Sequence, residues 1–356
     1  LLVVSANGVL FLVCWEVMAL ASFFLVAHDD EKPQVREAAW IYLVATHLGT
    51  AFLLVFFAVL GQGAGSLDFS RFGGTAFTPF ARETLFFTAL LGFGSKAGFF
   101  PLHVWLPEAH PAAPSHVSAL MSGVMIKTGI YGLLRVMVLA NDWPAWWGWT
   151  FIGIGVISGV GGVIYALVQH DFKRLLAYSS VENIGIICLG IGVGVFGIGS
   201  AGPVARLAMA GALLHVLNHA VFKTGLFLGA GAVIQAVGTR DLDILGGLQK
   251  RMPVTGLSFL VASAAICGLP PLNGFVSEFL IYLASYWSVL PQGFPSVNLR
   301  VGGFVVISSL ALIGGLAAMC FTKVYGTVFL GEPRSARVAG AADRVPCMAV
   351  PLRIVA

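Results

Sequence analysis

The chain has 356 residues, of which 58% are hydrophobic and only 10% are charged, and its mean hydropathy is +0.91. About a quarter of the residues of a soluble domain are charged, so this composition excludes a soluble enzyme and predicts an all-α protein with several membrane spans. The net charge of +4 is small. Lysine and arginine are unevenly distributed among the loops, which sets orientation in a membrane and argues against a nucleic-acid partner.

Apolar windows of roughly 20 residues predict nine membrane spans along the chain. They lie at 7–27, 36–60, 82–106, 115–139, 148–169, 174–197, 205–236, 253–289 and 301–329. The first apolar run lacks the basic and small-residue order of a signal peptide, so the first helix is expected to stay in the membrane. A further apolar run at 345–356 resembles the start of another span, and we expect the chain to be the middle of a longer protein.

Proline and glycine interrupt two of the predicted spans. In 82–106 the break falls at Gly98 and Pro101, and in 253–289 it falls in the run CGLPPLNG. Each break frees backbone groups that only protein or water can satisfy at membrane depth. A continuous helix over 253–289 would be about 55 Å long against an apolar core of roughly 30 Å, so this segment has to bend. Such broken helices are expected to line cavities.

The two broken spans are five helices apart in the predicted order. An odd offset reverses the direction in which the second copy crosses the membrane, so the pattern predicts two inverted five-helix repeats, each with one broken helix. The first repeat would be 1–140, truncated at its N-terminus, and the second 141–330, followed by a loop and the start of a further helix at 331–356. Lys96 and Glu278 would then occupy equivalent positions.

Ionisable side chains recur deep inside the predicted spans. A charge at the centre of a bilayer costs roughly 2.5–3.5 kcal/mol even on lenient insertion scales, so such residues require partners and often mark proton pathways. The candidates for a proton pathway are Glu16, Lys96, His116, Lys127, His215, His219, Lys223 and Glu278, with Glu182 and Lys323 as further possible members.

The densest group of these residues is the run HVLNHAVFK, which places His215, His219 and Lys223 four residues apart. Successive members of an i, i+4, i+8 series drift by about 40° around a helix, so all three share one face over roughly 12 Å. Histidine exchanges protons near neutrality through either ring nitrogen, and a lysine removed from water releases its proton more readily. A satisfied core residue is the alternative for one buried histidine, whereas the triplet favours a relay.

Glu16 lies midway along the first span and must be neutral or have a cationic partner. Lys96 or Lys127 is the expected partner, and a purely structural ion pair is the alternative. Lys127 follows His116 by eleven residues, which returns almost to the same stripe of a helix, so both are expected to face one cavity. For Lys127 alone, snorkelling to the membrane surface is the competing explanation.

Three further residues carry different expectations. Glu278 follows a helix break where water can reach it, and it is the candidate for a terminal proton carrier. Glu182 could belong to the pathway or stabilise a helix start, and both alternatives are open. Lys323 lies near the end of its span, where snorkelling is favoured.

Five cysteines are scattered along the chain: Cys14, Cys188, Cys267, Cys320 and Cys347. The sequence has no Cys-x-x-Cys pair and no Cys/His cluster, which argues against iron–sulfur, zinc and disulfide sites. A glycine pattern of the dinucleotide-binding type at 192–197 lies inside an apolar span and indicates close helix packing. We therefore expect no cofactor, no metal and no catalytic residue in this chain.

Several motifs together resemble the proton-conducting, antiporter-like membrane subunits of respiratory complex I and its relatives. They are FLVCWEVMAL, GSKAGFFPLHVWLPEAHPAAPSHVSALMSGVMIKTGIYGL, HDFKRLLAYSSVENIG, HVLNHAVFK and GLPPLNGFVSEF. The resemblance implies a fourteen-helix fold with two inverted five-helix repeats, of which this chain holds the central part. It also implies roles: Glu16 and Lys96 as a paired switch, Lys127 as the central relay, His215, His219 and Lys223 as the connecting axis, and Glu278 as the exit-side carrier.

Within that superfamily, SVENIGII, NHAVFKTGLFLGAGAV and CFTKVYGTVFLGEPRS resemble the large membrane subunit of hydrogenase-4 and formate hydrogenlyase complexes, the group 4 membrane hydrogenases. The resemblance implies a proton-translocating subunit without a redox centre, coupled to electron transfer in partner subunits. Those partners would be other membrane subunits and a peripheral arm of nickel–iron hydrogenase or dehydrogenase subunits with iron–sulfur clusters, at a bacterial cytoplasmic membrane. The alternatives are a subunit of a multisubunit sodium/proton antiporter and a scaffold that moves no ions.

Overall fold

The computed structural model describes residues 1–73, 75–139, 144–198, 202–290 and 296–343. The apolar run 345–356 and Cys347 lie outside these ranges. Within them the protein is largely helical, and its only β-pairings are two isolated bridges, Asn7 with Asp68 and Asp171 with Asp241. In chain order the α-helices are α1 (Gly8–Val26), α2 (Pro33–Ala64), α3 (Pro79–Ala97), α4 (Leu106–Ala112), α5 (Ser115–Leu120), α6 (Ile126–Leu139), α7 (Ala145–Leu167), α8 (Phe172–Gly197), α9 (Gly202–Val237), α10 (Pro253–Ile266), α11 (Asn273–Val289), α12 (Val297–Phe329) and α13 (Ala336–Ala339).

Seven helical segments in the described part of the chain are long and apolar enough to cross a membrane: α1, α2, the combined segment Ser115–Met137, α7, α8, α9 and α12. They coincide with seven of the nine predicted spans. The other two predicted spans, 82–106 and 253–289, are those in which helix breaks were expected. The all-α, membrane-spanning class predicted from composition is confirmed.

Both predicted helix breaks are present. The helix α3 ends at Ala97, and Gly98 follows with a φ of +75°. In the second break α10 ends at Ile266, Gly268 has a φ of +62°, and the chain becomes helical again at Asn273. Glycine enters this left-handed region without the steric cost of a Cβ atom, so the sequence lets each helix end at these points. The bend predicted for the second broken span is therefore confirmed.

A π-helical turn at Met121–Met125 divides the segment between α5 and α6, and it was not predicted. Its hydrogen bonds skip one residue more than those of an α-helix, so the residues after the turn are rotated relative to those before it. Arguments from α-helical register that run across this turn therefore fail.

The chain forms two compact units. The first comprises Leu1–Val117 and Val124–Trp143, and the second comprises Ser118–Gly123 and Pro144–Ala356. The inverted relation and the repeat boundaries given above stay a prediction.

In the first unit, α3 packs against α2 and α6. Glycines let these backbones approach closely. A side chain at Gly129 of α6 would lie 2.4 Å from the carbonyl oxygen of Phe93, and one at Gly92 of α3 would lie 3.0 Å from the carbonyl oxygen of Gly49. This packing holds the end of α3, where Lys96 lies, in the interior of the unit.

In the second unit, α8 is the most deeply buried helix, and its apolar window is 100% buried. It packs against α7 and α9. A Cβ atom at Gly185 of α8 would lie 2.4 Å from the backbone nitrogen of Gly159, and one at Gly162 would lie 2.6 Å from the backbone nitrogen of Glu182. A helix that is buried on all sides has to direct its polar side chains at other helices, so α8 brings Glu182 and Asn183 into contact with protein groups.

Gly185→Ala is expected to destabilise the protein, because the added Cβ would meet main-chain atoms of α7 that cannot move aside as a side chain can. Overpacking of this kind typically costs about 1–3 kcal/mol. Gly153→Ala is the matched control on α7, since nothing lies within 4 Å of a Cβ at Gly153. Thermal unfolding of the detergent-solubilised protein measures both variants, and equal midpoints would contradict the close approach of α7 and α8.

Candidate functional site

Glu16 and His47 form an ion pair in the first unit. Oε2 of Glu16 on α1 lies 3.3 Å from Nε2 of His47 on α2, and Nδ1 of His47 lies 2.9 Å from the carbonyl oxygen of Leu43. A carbonyl oxygen only accepts, so Nδ1 carries a hydrogen. Nε2 of His47 therefore faces Oε2 of Glu16, and a proton placed between them can be bonded to either group. The pair therefore has two positions for one proton.

Lys96 is fully buried at the end of α3, among aromatic rings. Its Nζ lies 3.4 Å from the Tyr42 hydroxyl and 5.5 and 5.3 Å from the ring centroids of Trp15 and Tyr42. Aromatic faces stabilise a desolvated cation by about 2 kcal/mol or more. Glu16 acts on Lys96 electrostatically, but its ion-pair contact is with His47. Lys96 is thus an electrostatic partner of Glu16, as expected, and His47 is a further partner that was not predicted.

Lys127 is buried, with 8% of its surface exposed, whereas His116 is exposed. The π turn at Met121–Met125 lies between them and changes the register that an uninterrupted α-helix would give. The register argument for a cavity shared by His116 and Lys127 therefore does not hold, and that cavity stays a prediction. His116 is left out of the pathway proposed below.

His215, His219 and Lys223 lie on α9 in the second unit, and all three are fully buried. The two imidazole rings are nearly parallel, with 4° between their planes and 6.4 Å between their centroids. The common face predicted from the i, i+4, i+8 spacing is confirmed. The groups that bond this face come from the neighbouring helices α8 and α11.

Lys223 extends from α9 to α8. Its Nζ donates to the carbonyl oxygen of Leu176 at 2.9 Å and to the hydroxyl of Ser179 at 2.6 Å. The hydroxyls of Ser179 and Ser180 donate to the same carbonyl, and Oγ of Ser180 lies 2.9 Å from Oγ of Ser122. A hydroxyl accepts from an ammonium group and can donate to a neutral amine. The Ser179 hydroxyl can therefore bond to both charge states of Lys223.

His215 is bonded at both ring nitrogens. Nε2 lies 3.1 Å from Oδ1 of Asn183 on α8, and Nδ1 lies 2.9 Å from Oγ of Ser277 on α11. Asn218 on α9 donates to the same Ser277 hydroxyl at 3.0 Å and to the carbonyl oxygen of Asn273 at 2.6 Å. These bonds hold the imidazole ring between α8 and α11.

Glu182 is fully buried in the middle of α8. The helix begins at Phe172, and its N-terminus is capped by Asp171, whose side chain accepts two backbone N–H bonds. Of the two alternatives for Glu182, stabilisation of a helix start is therefore wrong. Neither carboxylate oxygen has a hydrogen-bond partner within the described ranges, whereas the charges of Lys223 and Glu278 act on Glu182. The residue belongs with the buried titratable groups.

Glu278 follows the second helix break and lines a pocket of about 370 Å³ whose walls include residues of α11 and α12. The residue is 8% exposed. A side chain at Gly268 would lie 2.6 Å from Oε2 of Glu278, so the glycine leaves room for the carboxyl group. The pocket is large enough to admit water. The predicted position of Glu278 beside a helix break that lines a cavity is confirmed.

Lys323 on α12 caps a neighbouring helix. Its Nζ donates to the carbonyl oxygens of Leu167, the last residue of α7, at 2.6 Å and of Gln169 at 3.4 Å. A cation at a helix C-terminus satisfies carbonyls that have no helical partner and interacts favourably with the helix dipole. This arrangement differs from simple snorkelling, because two backbone carbonyls hold the amine in place.

Several residues that contact the candidate groups were not predicted, among them Tyr42, His47, Asn183 and Ser277. His47 could have been found, because it is a histidine inside an apolar span like the histidines of α9. The other three are uncharged polar residues, which carry no such signal. In the described ranges no group of three or more His, Cys, Asp or Glu side chains could hold a metal ion.

Comparison with known proteins shows the family to which this chain belongs. The family model described as NADH:quinone oxidoreductase/Mrp antiporter, TM, matches residues 5–294. Hydrogenase-4 component B of Escherichia coli is 45% identical over 97% of this chain and 51% of its own length. Formate hydrogenlyase subunit 3 of the same organism is 40% identical over 94% of this chain and 53% of its own length. The chain therefore spans about half the length of these curated relatives.

A solved structure shares the fold. A chain of the archaeal membrane-bound sulfane sulfur reductase, a respiratory membrane complex, matches with a TM-score of 0.82 at 28% identity, over 99% of this chain and 55% of that chain. The resemblance to antiporter-like subunits and the fold class inferred from the motifs are confirmed by these matches. The protein is an integral membrane protein, and the chain belongs to the family of transmembrane subunits of NADH:quinone oxidoreductases and Mrp antiporters.

Proposed function

We propose that this chain is part of a proton-translocating membrane subunit of a complex I-like or group 4 hydrogenase assembly. The observation that carries the proposal is the fully buried set of titratable groups in the second unit, formed by His215, His219, Lys223 and Glu182. Such groups are costly inside a membrane and usually serve transport. Lys223 and His215 form hydrogen bonds with hydroxyl, amide and carbonyl groups. The hydroxyls among these partners can donate as well as accept, so they can bond to either residue in its charged or its neutral state.

In the first unit, the Glu16 and His47 pair holds the mobile proton. Moving this proton between carboxylate and imidazole converts an ion pair into a neutral pair, which changes the electric field at Lys96. The Lys96 ammonium is stabilised by ring faces and a hydroxyl, so it can respond to that change. A charge shift driven by electron transfer in partner subunits would enter here, and Lys127 would carry the proton onward.

In the second unit, the proton moves along the buried face of α9. Lys223 exchanges it with the hydroxyl cluster of α8, His219 and His215 continue the series, and Glu278 exchanges it with water in its pocket. Glu182 is a buried carboxyl group that interacts electrostatically with Lys223. The chemistry is proton transfer between side chains and water, and this chain contributes no redox centre.

The most similar relatives reported above support a hydrogenase-type setting. One is named as a component of hydrogenase-4 and the other as a subunit of formate hydrogenlyase. We therefore place the full protein in a bacterial cytoplasmic membrane, among other membrane subunits and beside a peripheral arm with a nickel–iron site and iron–sulfur clusters. Co-purification tests this setting, because recovery of antiporter-type chains alone, with sodium-dependent proton flux in vesicles lacking a redox donor, would replace it with the sodium/proton antiporter alternative.

Lys223→Met should reduce proton translocation by the full complex in vesicles about 100-fold or more, since methionine cannot carry a proton through the relay. Turnover with a soluble electron donor should be largely retained. Lys250→Met is the matched control, because this exposed lysine pairs with the exposed Glu332 and should leave transport unchanged. Unchanged proton transport in Lys223→Met, or equal loss of both activities in an assembled complex, would contradict conduction through Lys223.

Glu16→Gln and His47→Gln should each lower proton translocation, and the double variant should be no worse than either single variant. Both substitutions remove the same shared proton, so their effects cannot add. The measurement is a double-mutant cycle of transport rates at equal complex yield. Losses that multiply would show that Glu16 and His47 act independently.

A further inference from the structure

We propose that the Ser277 hydroxyl exchanges a proton with His215 Nδ1, accepting a hydrogen bond from the charged ring and donating one to the neutral ring. It lets the imidazole gain and lose a proton at Nδ1 while the polar atoms around that nitrogen stay bonded in both states. The inference rests on the proposed proton pathway and names the atom through which the pathway passes His215.

Asn183 fixes the other side of the ring. Its Nδ2 donates to the carbonyl oxygen of Ser179 at 2.8 Å, which turns Oδ1 toward Nε2 of His215 at 3.1 Å. An amide oxygen only accepts, so Nε2 carries a hydrogen whether the ring is neutral or charged. Any proton that His215 gains or loses is therefore the proton on Nδ1.

Ser277 Oγ has three polar neighbours. Nδ1 of His215 lies at 2.9 Å, Nδ2 of Asn218 at 3.0 Å and the carbonyl oxygen of Gly274 at 2.9 Å. Asn218 is a donor, because its Nδ2 also donates to the carbonyl oxygen of Asn273. A hydroxyl has one hydrogen and two lone pairs. The single hydrogen can point either at Gly274 or at His215, and the charge of His215 decides which.

Both charge states of His215 have a complete set of bonds. When the ring is cationic, its Nδ1–H donates to Oγ and the Ser277 hydroxyl donates to the Gly274 carbonyl. When the ring is neutral, the hydroxyl turns to donate to Nδ1, and the Gly274 carbonyl keeps its main-chain bond within α11. The rotation of one hydroxyl hydrogen therefore replaces a rearrangement of side chains or helices.

The proton balance of the step is simple. A proton from the Glu278 carboxylic acid, the neighbouring carrier of the proposed pathway, bonds to Ser277 Oγ as the original O–H bond breaks, and the released proton forms the N–H bond at His215 Nδ1. A carboxylate and an imidazolium are the products, and no electrons are transferred. Reversal of the same steps returns the proton to Glu278.

Other titratable groups lie on α9 and on the helices that pack against it. On the helices packed against this part of α9 and on α9 itself, they are Glu182 of α8, Glu278 of α11, Cys267 at the end of α10, and His219 and Lys223. An ionised carboxylate on this set would favour an imidazolium at His215, whereas a charged Lys223 would oppose it. The pH response of transport therefore depends on this set, and the test compares variants within one background.

Ser277→Ala in the full-length protein, within its complex, is the first variant of the test. Removing the acceptor of the charged ring should lower proton translocation about tenfold, the loss typical of one hydrogen bond to a charged group, and should move the pH profile of transport to lower pH. Ser285→Ala is the matched control. Ser285 is a fully buried serine on the same helix, and its hydroxyl has no hydrogen-bond partner in the described part of the chain. It should keep the wild-type profile.

Infrared difference spectra of histidine-labelled complex give a second readout that does not depend on transport. The imidazolium band that is lost in His215→Asn should titrate at lower pH in Ser277→Ala than in Ser285→Ala. Identical titrations and identical transport profiles for the two serine variants would overturn the role of Ser277. That result, together with abolished transport in Lys223→Met, would leave the proposed function standing, whereas intact transport in Lys223→Met would overturn the function itself.

Discussion

Removing ionisable groups from water is the physical constraint on which the rest of this structure depends. A carbonyl and a hydroxyl of α8 accept hydrogen bonds from Lys223. Aromatic rings and a phenol hydroxyl surround the Lys96 amine, and an imidazole pairs with Glu16. Each solution keeps a proton exchangeable, because hydroxyl and imidazole groups donate as well as accept. The candidate cations of both units are lysine and histidine, which can release a proton, whereas arginine would keep its own. The groups that solvate these side chains are thus the same ones that the proposed transport would use.

Glycine packing makes this solvation possible in the second unit. Because Gly159, Gly162 and Gly185 allow the backbones of α7 and α8 to touch, α8 is enclosed on that side without intervening side chains. Its remaining polar groups then meet α9. The Leu176 carbonyl accepts from Lys223, and the Ser179 and Ser180 hydroxyls converge on the same oxygen. The main chain of a buried helix thus supplies a hydrogen-bond acceptor for Lys223.

The sequence alone was sufficient for the parts of the fold that follow from periodicity along one helix. Hydropathy located the spans, glycine and proline located both breaks, and the i, i+4, i+8 spacing located the buried face of α9. It was not sufficient where two helices meet, because periodicity shows which face of a helix is polar but not which helix lies opposite. For that reason His47 was missed as the partner of Glu16, and Ser277 as the partner of His215. The π turn also defeated a register argument for His116 and Lys127, since nothing in the residue pattern signals it.

The second helix break has two consequences that one unbroken helix could not produce together. Ending α10 before Gly268 leaves space beside the Glu278 carboxyl group, which opens onto a pocket that water can enter. Restarting the helix at Asn273 also brings the first turns of α11 against α9, where the Asn273 carbonyl binds Asn218 and the Ser277 hydroxyl meets His215. A relay whose middle is enclosed by protein requires one end that exchanges protons with water. The break at CGLPPLNG therefore leaves space for the Glu278 carboxyl group, the water-exchanging end of the proposed path, and positions the Ser277 hydroxyl beside the buried histidine.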